Sequence, residues 1–321
     1  MTSTLQQEAS RYLNYQSRKT MKVAQELYEG INIGAGGTTG LITYMRTDSV
    51  NISEEAKKQA YGYIVENFGK EYAYTNHVFA KKKNAQEAHE CIRPTNVFNT
   101  PDSIKPHLTN DQYKLYKLIW EKFLSSLMAS AKYSTISASI YSNDQVFKAS
   151  GSHLIFEGFL KLKRKGDVEE DEINLPELTE NEKLKLIKLL EEQHFTQPPA
   201  RYTEASLIKA LEDLGVGRPS TYAPTISTIM QRNYVELSEK KFFPTELGTM
   251  VTNLLSDYFP MITDKEFTAD LENELDKISL GEEEWKKVVG EFYGGLADKL
   301  QVAEKEIEKI EIKSEETDIK C

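Results

Sequence analysis

The chain has 321 residues, 39% of them hydrophobic, and a formal net charge of −10. That length predicts two or three globular domains, and no apolar run approaches the ~20 residues a membrane-spanning helix needs. The two cysteines, Cys91 and Cys321, make neither a CxxC pair nor a disulfide framework, which excludes a cysteine-stapled scaffold and fits a reducing, cytoplasmic setting. Residues 2–7 lack the basic-then-apolar opening of a targeting peptide.

The acidity is uneven. Residues 264–321 hold 18 of the 50 Asp and Glu but only 9 of the 40 Lys and Arg. The rest is nearly neutral and free to present local basic clusters, such as Lys81, Lys82 and Lys83, or Lys161, Lys163, Arg164 and Lys165. Each cluster alone reads first as a solvated face. Contact with a polyanion needs cations gathered on one surface, not a basic average.

Residues 2–30 predict two helices. Leu5, Ala9 and Leu13 line one face of the first, Ser17 is placed to cap the second, and Gly30 ends it. The loop GAGGTTG, residues 34–40, lacks the Lys-Ser/Thr ending of a phosphate-binding loop and reads as a connection. Residues 41–49, LITYMRTDS, alternate as a short strand does, which places Tyr44 and Arg46 on one face with Asp48 just beyond. A phenol has an ordinary pKa of about 10. A fixed cation beside it favours the phenolate and stabilises charge on a phosphate oxygen, so this trio suits attack on phosphorus. Read alone, the same residues also fit an ordinary tyrosine beside a surface ion pair.

Ser53 caps a predicted helix that Gly69 closes, and residues 70–108 read as irregular. They contain AHECIRPT, residues 88–95. Its HExxR places Arg93 where a zincin has its second histidine ligand, which argues against zinc. Thr109 and Gln112 form a capping-box pattern opening a long helix through Leu115, Ile119, Phe123 and Leu127. Residues 133–141 alternate as a strand, residues 146–149 and 154–160 continue as β, the acidic run 167–172 reads as a solvated loop, and residues 183–191 return to sheet or a mixed element.

Gln197-Pro198-Pro199 marks a linker. Thr203 then caps a helix, Gly215-Val216-Gly217 breaks it, Pro219 and Ser220 start a second helix through Arg232, and residues 234–243 read as a hairpin. That is winged helix-turn-helix order, and residues 3–30 with the Tyr44 strand show a looser version. Three helices follow. Phe267, Leu271, Leu275 and Ile278 stripe one, and Trp285, Val289, Phe292 and Leu296 another, as core faces. Residues 301–321 read as a frayed helix or disordered tail.

Three stretches in order, GLITYMRTDS (40–49), AHECIRPT (88–95) and the run containing QPPARYTEASLIKALEDLGVGRPSTYAPTISTI (within 195–235), resemble type IA DNA topoisomerases. Met45 and GRPSTYA point to the bacterial topoisomerase I branch. The resemblance covers residues 2 to about 300. It implies a mixed, mainly α fold with a smaller β portion: an active-site tyrosine domain over 1–131, a β-rich gate segment over 132–196, a winged-helix-like DNA-binding domain with C-terminal helices over 197–300, and a charged tail over 301–321.

The resemblance also implies the chemistry. Tyr44 attacks a backbone phosphate of single-stranded DNA, forms a 5′-phosphotyrosine, and needs no ATP to reseal. Arg46 activates Tyr44 and binds the phosphate, His89 contacts the same region, and Asp48 orients Arg46 or assists religation. Arg218, Ser220, Thr221 and Arg232 hold the incoming strand, near helix ends where free N–H groups favour phosphate. Cys91 stands where the family has alanine and is expected to be a packed thiol. The family's Mg²⁺-binding Toprim domain normally precedes the TSTLQQEAS motif, which here follows Met1, and its zinc-binding repeats are not seen either. The expectation is an internal part of a longer, nucleoid-associated enzyme, one that alone binds single-stranded DNA without full turnover. Other classes remain: a non-enzymatic winged-helix DNA-binding protein, which leaves the first two motifs unexplained; a tyrosine recombinase, which attaches to a 3′-phosphate; and a scaffold with no preference for single strands.

Overall fold

A computed structural model describes residues 1–34, 37–74, 89–162 and 175–307. Helices α1 (Thr2–Leu13) and α2 (Ser17–Glu29) lead into a tiny hairpin of β1 (Ile31–Asn32) and β2 (Thr38–Thr39). Then come α3 (Glu54–Phe68), the short α4 (Pro101–Ile104) and the long α5 (Asn110–Leu127). Strands β3 (Lys132–Ser142) and β4 (Gln145–Phe156) form one antiparallel hairpin. They are followed by α6 (Glu204–Asp213), α7 (Tyr222–Gln231), and the hairpin of β5 (Val235–Ser238) with β6 (Lys241–Pro244). Last are α8 (Glu246–Tyr258), α9 (Pro260–Thr263), α10 (Lys265–Leu280) and α11 (Trp285–Glu306). The fold is mainly α with a smaller β portion, as the sequence predicts. Among the described residues, no helix is long and apolar enough to cross a membrane.

The larger core gathers the inward faces of α1, α2, α3 and α5. Ala9, Ala24, Leu27, Ala60, Ile64, Leu115 and Leu124 are fully buried in it, together with Leu41 and Ile42 from the irregular stretch after β2. Each large aliphatic side chain removed from water contributes about 1.5–3 kcal/mol. The polar edges are satisfied: Trp120 donates its indole N–H to the Val97 carbonyl at 2.9 Å, and the Tyr116 hydroxyl donates to the Asn99 carbonyl at 2.7 Å. The Thr109–Gln112 capping box forms at the head of α5 and Ser53 caps α3, both as expected. A second, smaller core of Ile208, Tyr222, Ile226 and Phe242 joins α6, α7 and β6 in the order helix, helix, hairpin.

The two cores meet where α1 packs along α6. Ser17 is not the cap of α2. Gln16 holds that position without a side-chain bond, and Ser17 is the first helical residue. A helix start leaves N–H groups without intrahelical partners. Here the buried Glu204 of α6 supplies one: its carboxylate accepts from the Ser17 N–H at 2.8 Å and from the Ser17 hydroxyl at 3.2 Å. Burial pushes the Glu204 carboxyl above its usual range, partly offset by those two bonds.

Other expectations need correcting. Within the stretch 34–40, read as a connection, Thr38 and Thr39 form β2 and pair with β1. Strand β4 stops at Phe156, and a 3₁₀ turn over Gly158–Leu162 replaces β beyond it. Residues 183–191 form no regular element and lie exposed. Their alternation marks a face but supplies no partner strand, and a strand without a ladder leaves its backbone groups to water. The stripe on α11 is only partly core: Trp285 is 59% and Val289 51% exposed, whereas Phe292 stacks on Phe267 at 6.0 Å. Helix α11 runs to Glu306, beyond the expected start of the tail. Lys81, Lys82 and Lys83, Lys163, Arg164 and Lys165, and the acidic run 167–172 lie outside the described residues.

Candidate functional site

The Tyr44 segment is not a strand. Among the described residues, its one ladder contact is an isolated bridge from Ile42 to Pro94. Backbone bonds between residues 41–43 and 93–95, with side-chain bonds around them, hold the segment to the stretch that carries His89. The Thr43 N–H donates to the Arg93 carbonyl at 2.9 Å and the Thr43 hydroxyl to the Cys91 carbonyl at 2.7 Å, while the Arg93 N–H donates back to Thr43 Oγ1 at 2.9 Å. Further on, the Ser49 N–H donates to Thr47 Oγ1 and the Asn51 N–H to Ser49 Oγ, two local turns that compete with a ladder.

From the other side the start of α1 clamps the same segment. Thr2 is fully buried. Its N–H donates to the Thr47 carbonyl at 2.8 Å, its hydroxyl donates to the Met45 carbonyl at 2.7 Å, and Thr47 returns its own N–H to Thr2 Oγ1 at 2.9 Å. The alternation seen in the sequence therefore survives without the strand. Met45, Thr47 and Ser49 are buried, Arg46 is exposed, and Tyr44 and Asp48 are half-buried.

The Tyr44 ring meets the edge of Tyr28 at a centroid separation of 5.4 Å and lies 5.5 Å from the His89 ring at a tilt of 33°. His89 is carried by the stretch that pairs with the Tyr44 segment. Arg93 shapes that stretch: its Nε donates to Glu90 at 2.8 Å and its Nη1 to the Pro94 carbonyl at 3.0 Å. Burial pushes the Cys91 thiol up to about 11, so it stays protonated at neutral pH, as a packed thiol does.

An open cavity of about 420 Å³ brings the two halves of the chain together. Tyr44, Arg46, Thr47, Asp48 and His89 line one side, and Arg218, Pro219, Ser220 and Asp276 the other. Helix α7 begins at Tyr222 rather than at Pro219 or Ser220. The Arg218 N–H donates to Thr221 Oγ1 at 2.8 Å and the Thr221 N–H to the Arg218 carbonyl at 2.9 Å, which closes a turn ahead of the helix. Gly215 and Gly217, at φ +72° and +85°, carry the chain from the end of α6 into that turn. Thr221 thus holds the turn from behind. Arg232 is the C-cap of α7, at the far end of a ten-residue helix, and does not line the cavity.

Six of the eight residues singled out from the sequence therefore share one cavity. Two of its features were not foreseen. Tyr28 packs on Tyr44 from α2, and Asp276 enters from α10, a helix singled out in the sequence only for its apolar stripe. The Arg218 guanidinium is tied down: Nη1 donates to the Gly217 carbonyl at 3.0 Å, Nη2 to Asp276 Oδ2 at 2.8 Å, and Nε lies 3.7 Å from Glu272.

Against known families, a model described as DNA topoisomerase matches residues 1–290. The chain belongs to the DNA topoisomerase family. Among solved structures, full-length topoisomerase I from Thermotoga maritima matches with a TM-score of 0.79 and 37% sequence identity. The match covers 92% of this topoisomerase-family chain and 48% of that one, so the chain spans about half the length of this relative. The resemblance read from the three motifs is borne out.

Proposed function

We propose that this chain carries the nucleophile and part of the single-strand groove of an ATP-independent type IA DNA topoisomerase. The supporting observation is the cavity itself, in which Tyr44, Arg46 and His89 from one module face Arg218 and Ser220 from another. The cleft has a guanidinium on each side, Arg46 beside the Tyr44 phenol and Arg218 opposite, together with the carboxylates of Asp48 and Asp276, and a phosphodiester can pair with those two cations where a neutral substrate cannot.

In the reaction, the Tyr44 oxygen attacks a backbone phosphorus. The new O–P bond forms as the bond to the 3′ oxygen breaks, the phenol gives up its proton, and the departing 3′ oxygen takes one. Arg46 and Arg218 balance charge on the phosphate oxygens, and His89 lies close enough to Tyr44 to contact the same phosphate. Asp48 orients Arg46 or assists the return step. One phosphodiester replaces another, so resealing needs no nucleotide. Strand passage through the open gate relaxes negative supercoils.

Among the described residues, no group of three or more His, Cys, Asp or Glu could hold a metal ion. We assign Mg²⁺ to the Toprim domain that the family resemblance implies for the complete enzyme, and the steps above use this chain's own side chains. The test pairs this chain with its Tyr44→Phe variant. Both are expected to bind a single-stranded oligonucleotide, and neither to relax plasmid. Joined to a Toprim domain, only the tyrosine form is expected to give a detergent-stable adduct on a 5′-phosphate. An adduct on a 3′-phosphate, or one that survives Tyr44→Phe, would overturn the assignment, and Mg²⁺-dependent relaxation by this chain alone would refute the assignment of the metal to another domain.

A further inference from the structure

The cavity holds a contradiction. Arg218 is placed to receive a phosphate, yet its guanidinium is engaged by carboxylates of α10. Three contacts fix it: two backbone carbonyls of its own turn on Nη1, and Asp276 on Nη2. Glu272, one turn back along α10, adds charge near Nε. The pairing is not incidental to a mobile surface. The Arg218 side chain is only 26% exposed and that of Asp276 35%, and a Cβ added to Gly215 would stand 3.5 Å from Ala269 of α10, so turn and helix are in close contact. Tyr222, buried just behind, is pushed up to about 12 chiefly by desolvation, and it feels Arg218, Asp48 and Glu272 together.

We propose that Asp276 acts as a stand-in for a backbone phosphate on Arg218, so that α10 sets how tightly the groove holds single-stranded DNA. This rests on the DNA reading above. A carboxylate and a phosphate compete for the same N–H edge of a guanidinium because each offers it a pair of anionic acceptor oxygens. Asp276 also lines the cavity, and a second negative charge there opposes a strand. When DNA enters, Arg218 exchanges Asp276 for the phosphate, and the two backbone carbonyls keep its Nη1 end in place. Asp276 is thus a specificity and affinity device acting through Arg218, not a group that touches the reacting atoms.

The sign separates this from a strut. If Asp276 merely held Arg218 in position, removing its charge would weaken binding. As a competitor, its removal strengthens binding. Asp276→Asn keeps an acceptor oxygen for Nη2 and removes the charge. With a short fluorescein-labelled oligothymidylate and this chain at low salt, Asp276→Asn is expected to bind about three- to tenfold more tightly. The slope of log affinity against log salt is expected to change by less than about 0.7, the increment for one phosphate contact on a single strand, because Arg218 reaches the phosphate in both forms. In an Arg218→Ala background, Asp276→Asn is expected to give at most a small part of that gain, because the coupling runs through the guanidinium. Asp276→Ala serves as the second variant, with a thermal melt to report folding, and tighter binding is expected there too. Unchanged or weaker binding by a folded Asp276→Asn, with normal binding by the unaltered chain, overturns this inference alone. A gain that persists in full without Arg218 overturns it as well. No binding by the unaltered chain overturns the DNA reading together with it.

Discussion

Thr2→Val tests whether the start of α1 holds the Tyr44 segment in place. Valine matches threonine in shape and removes only the hydroxyl. Two buried backbone groups lose their partner, the Met45 carbonyl and the Thr47 N–H, while the Thr2 N–H bond to the Thr47 carbonyl at 2.8 Å survives. Thr2 is fully buried and Met45 and Thr47 nearly so, so water does not replace the lost bonds. Each stranded group costs about 1–3 kcal/mol, and two neighbouring groups sharing one relaxation give a loss of about 2–4 kcal/mol. Thr2→Ser keeps the hydroxyl and loses one methyl, about 1 kcal/mol. Urea unfolding followed by Trp120 fluorescence reads the right module, because Trp120 is buried in that core; Trp285→Phe silences the exposed second tryptophan. Equal stability of Thr2→Val and Thr2→Ser, within about 0.5 kcal/mol, would refute the clamp.

Three other outcomes follow from the same structure. Glu204→Gln is expected to match the unaltered chain in stability at low pH and to exceed it as pH rises. A carboxyl whose folded pKa is raised contributes stability below its ordinary value that is lost as pH climbs through the raised one; melting temperature against pH for both forms checks the crossing, and a larger advantage for Glu204 at high pH would contradict it. Gly248→Ala would place a Cβ 2.0 Å from the Tyr234 carbonyl oxygen, a backbone atom that cannot step aside. A loss of at least about 1–3 kcal/mol is expected, and a variant as stable as the parent would be inconsistent with this packing of α8. Tyr15→Phe removes the 2.6 Å bond to Asp111 but not the Lys19 ion pair. The Asp111 carboxyl, now held low first by Lys19 and then by Tyr15, is expected to titrate higher while staying depressed, as read by NMR titration.

What the sequence shows of this site depends on how local each cause is. The Thr109–Gln112 box lies within one turn and was legible from four residues. The open face of Tyr44, Arg46 and Asp48 was legible from a period of two. The strand inferred with it is not present, because backbone pairing ends after Thr43, and Thr47 and Ser49 use their hydroxyls where a ladder would use a second strand. The alternation at residues 183–191 failed for the converse reason, a pattern with no ladder to join. Glu204 capping α2 and Asp276 holding Arg218 both cross the chain between modules. Nothing near either residue in sequence signals its partner, and an acidic helix such as α10 looks the same whether its carboxylates face water or a guanidinium.

The shared groove is tested most directly by photo-cross-linking. A single-stranded oligonucleotide carrying thio-thymidines is bound to the chain, irradiated and digested, and the modified peptides are mapped by mass. Cross-links to the peptide bearing Tyr44 and Arg46 and also to the one bearing Arg218 and Ser220 are expected, both suppressed by unlabelled single strand. Cross-links confined to one of the two modules, or scattered over surfaces remote from both, would contradict a strand path that runs between them past the Tyr44 phenol.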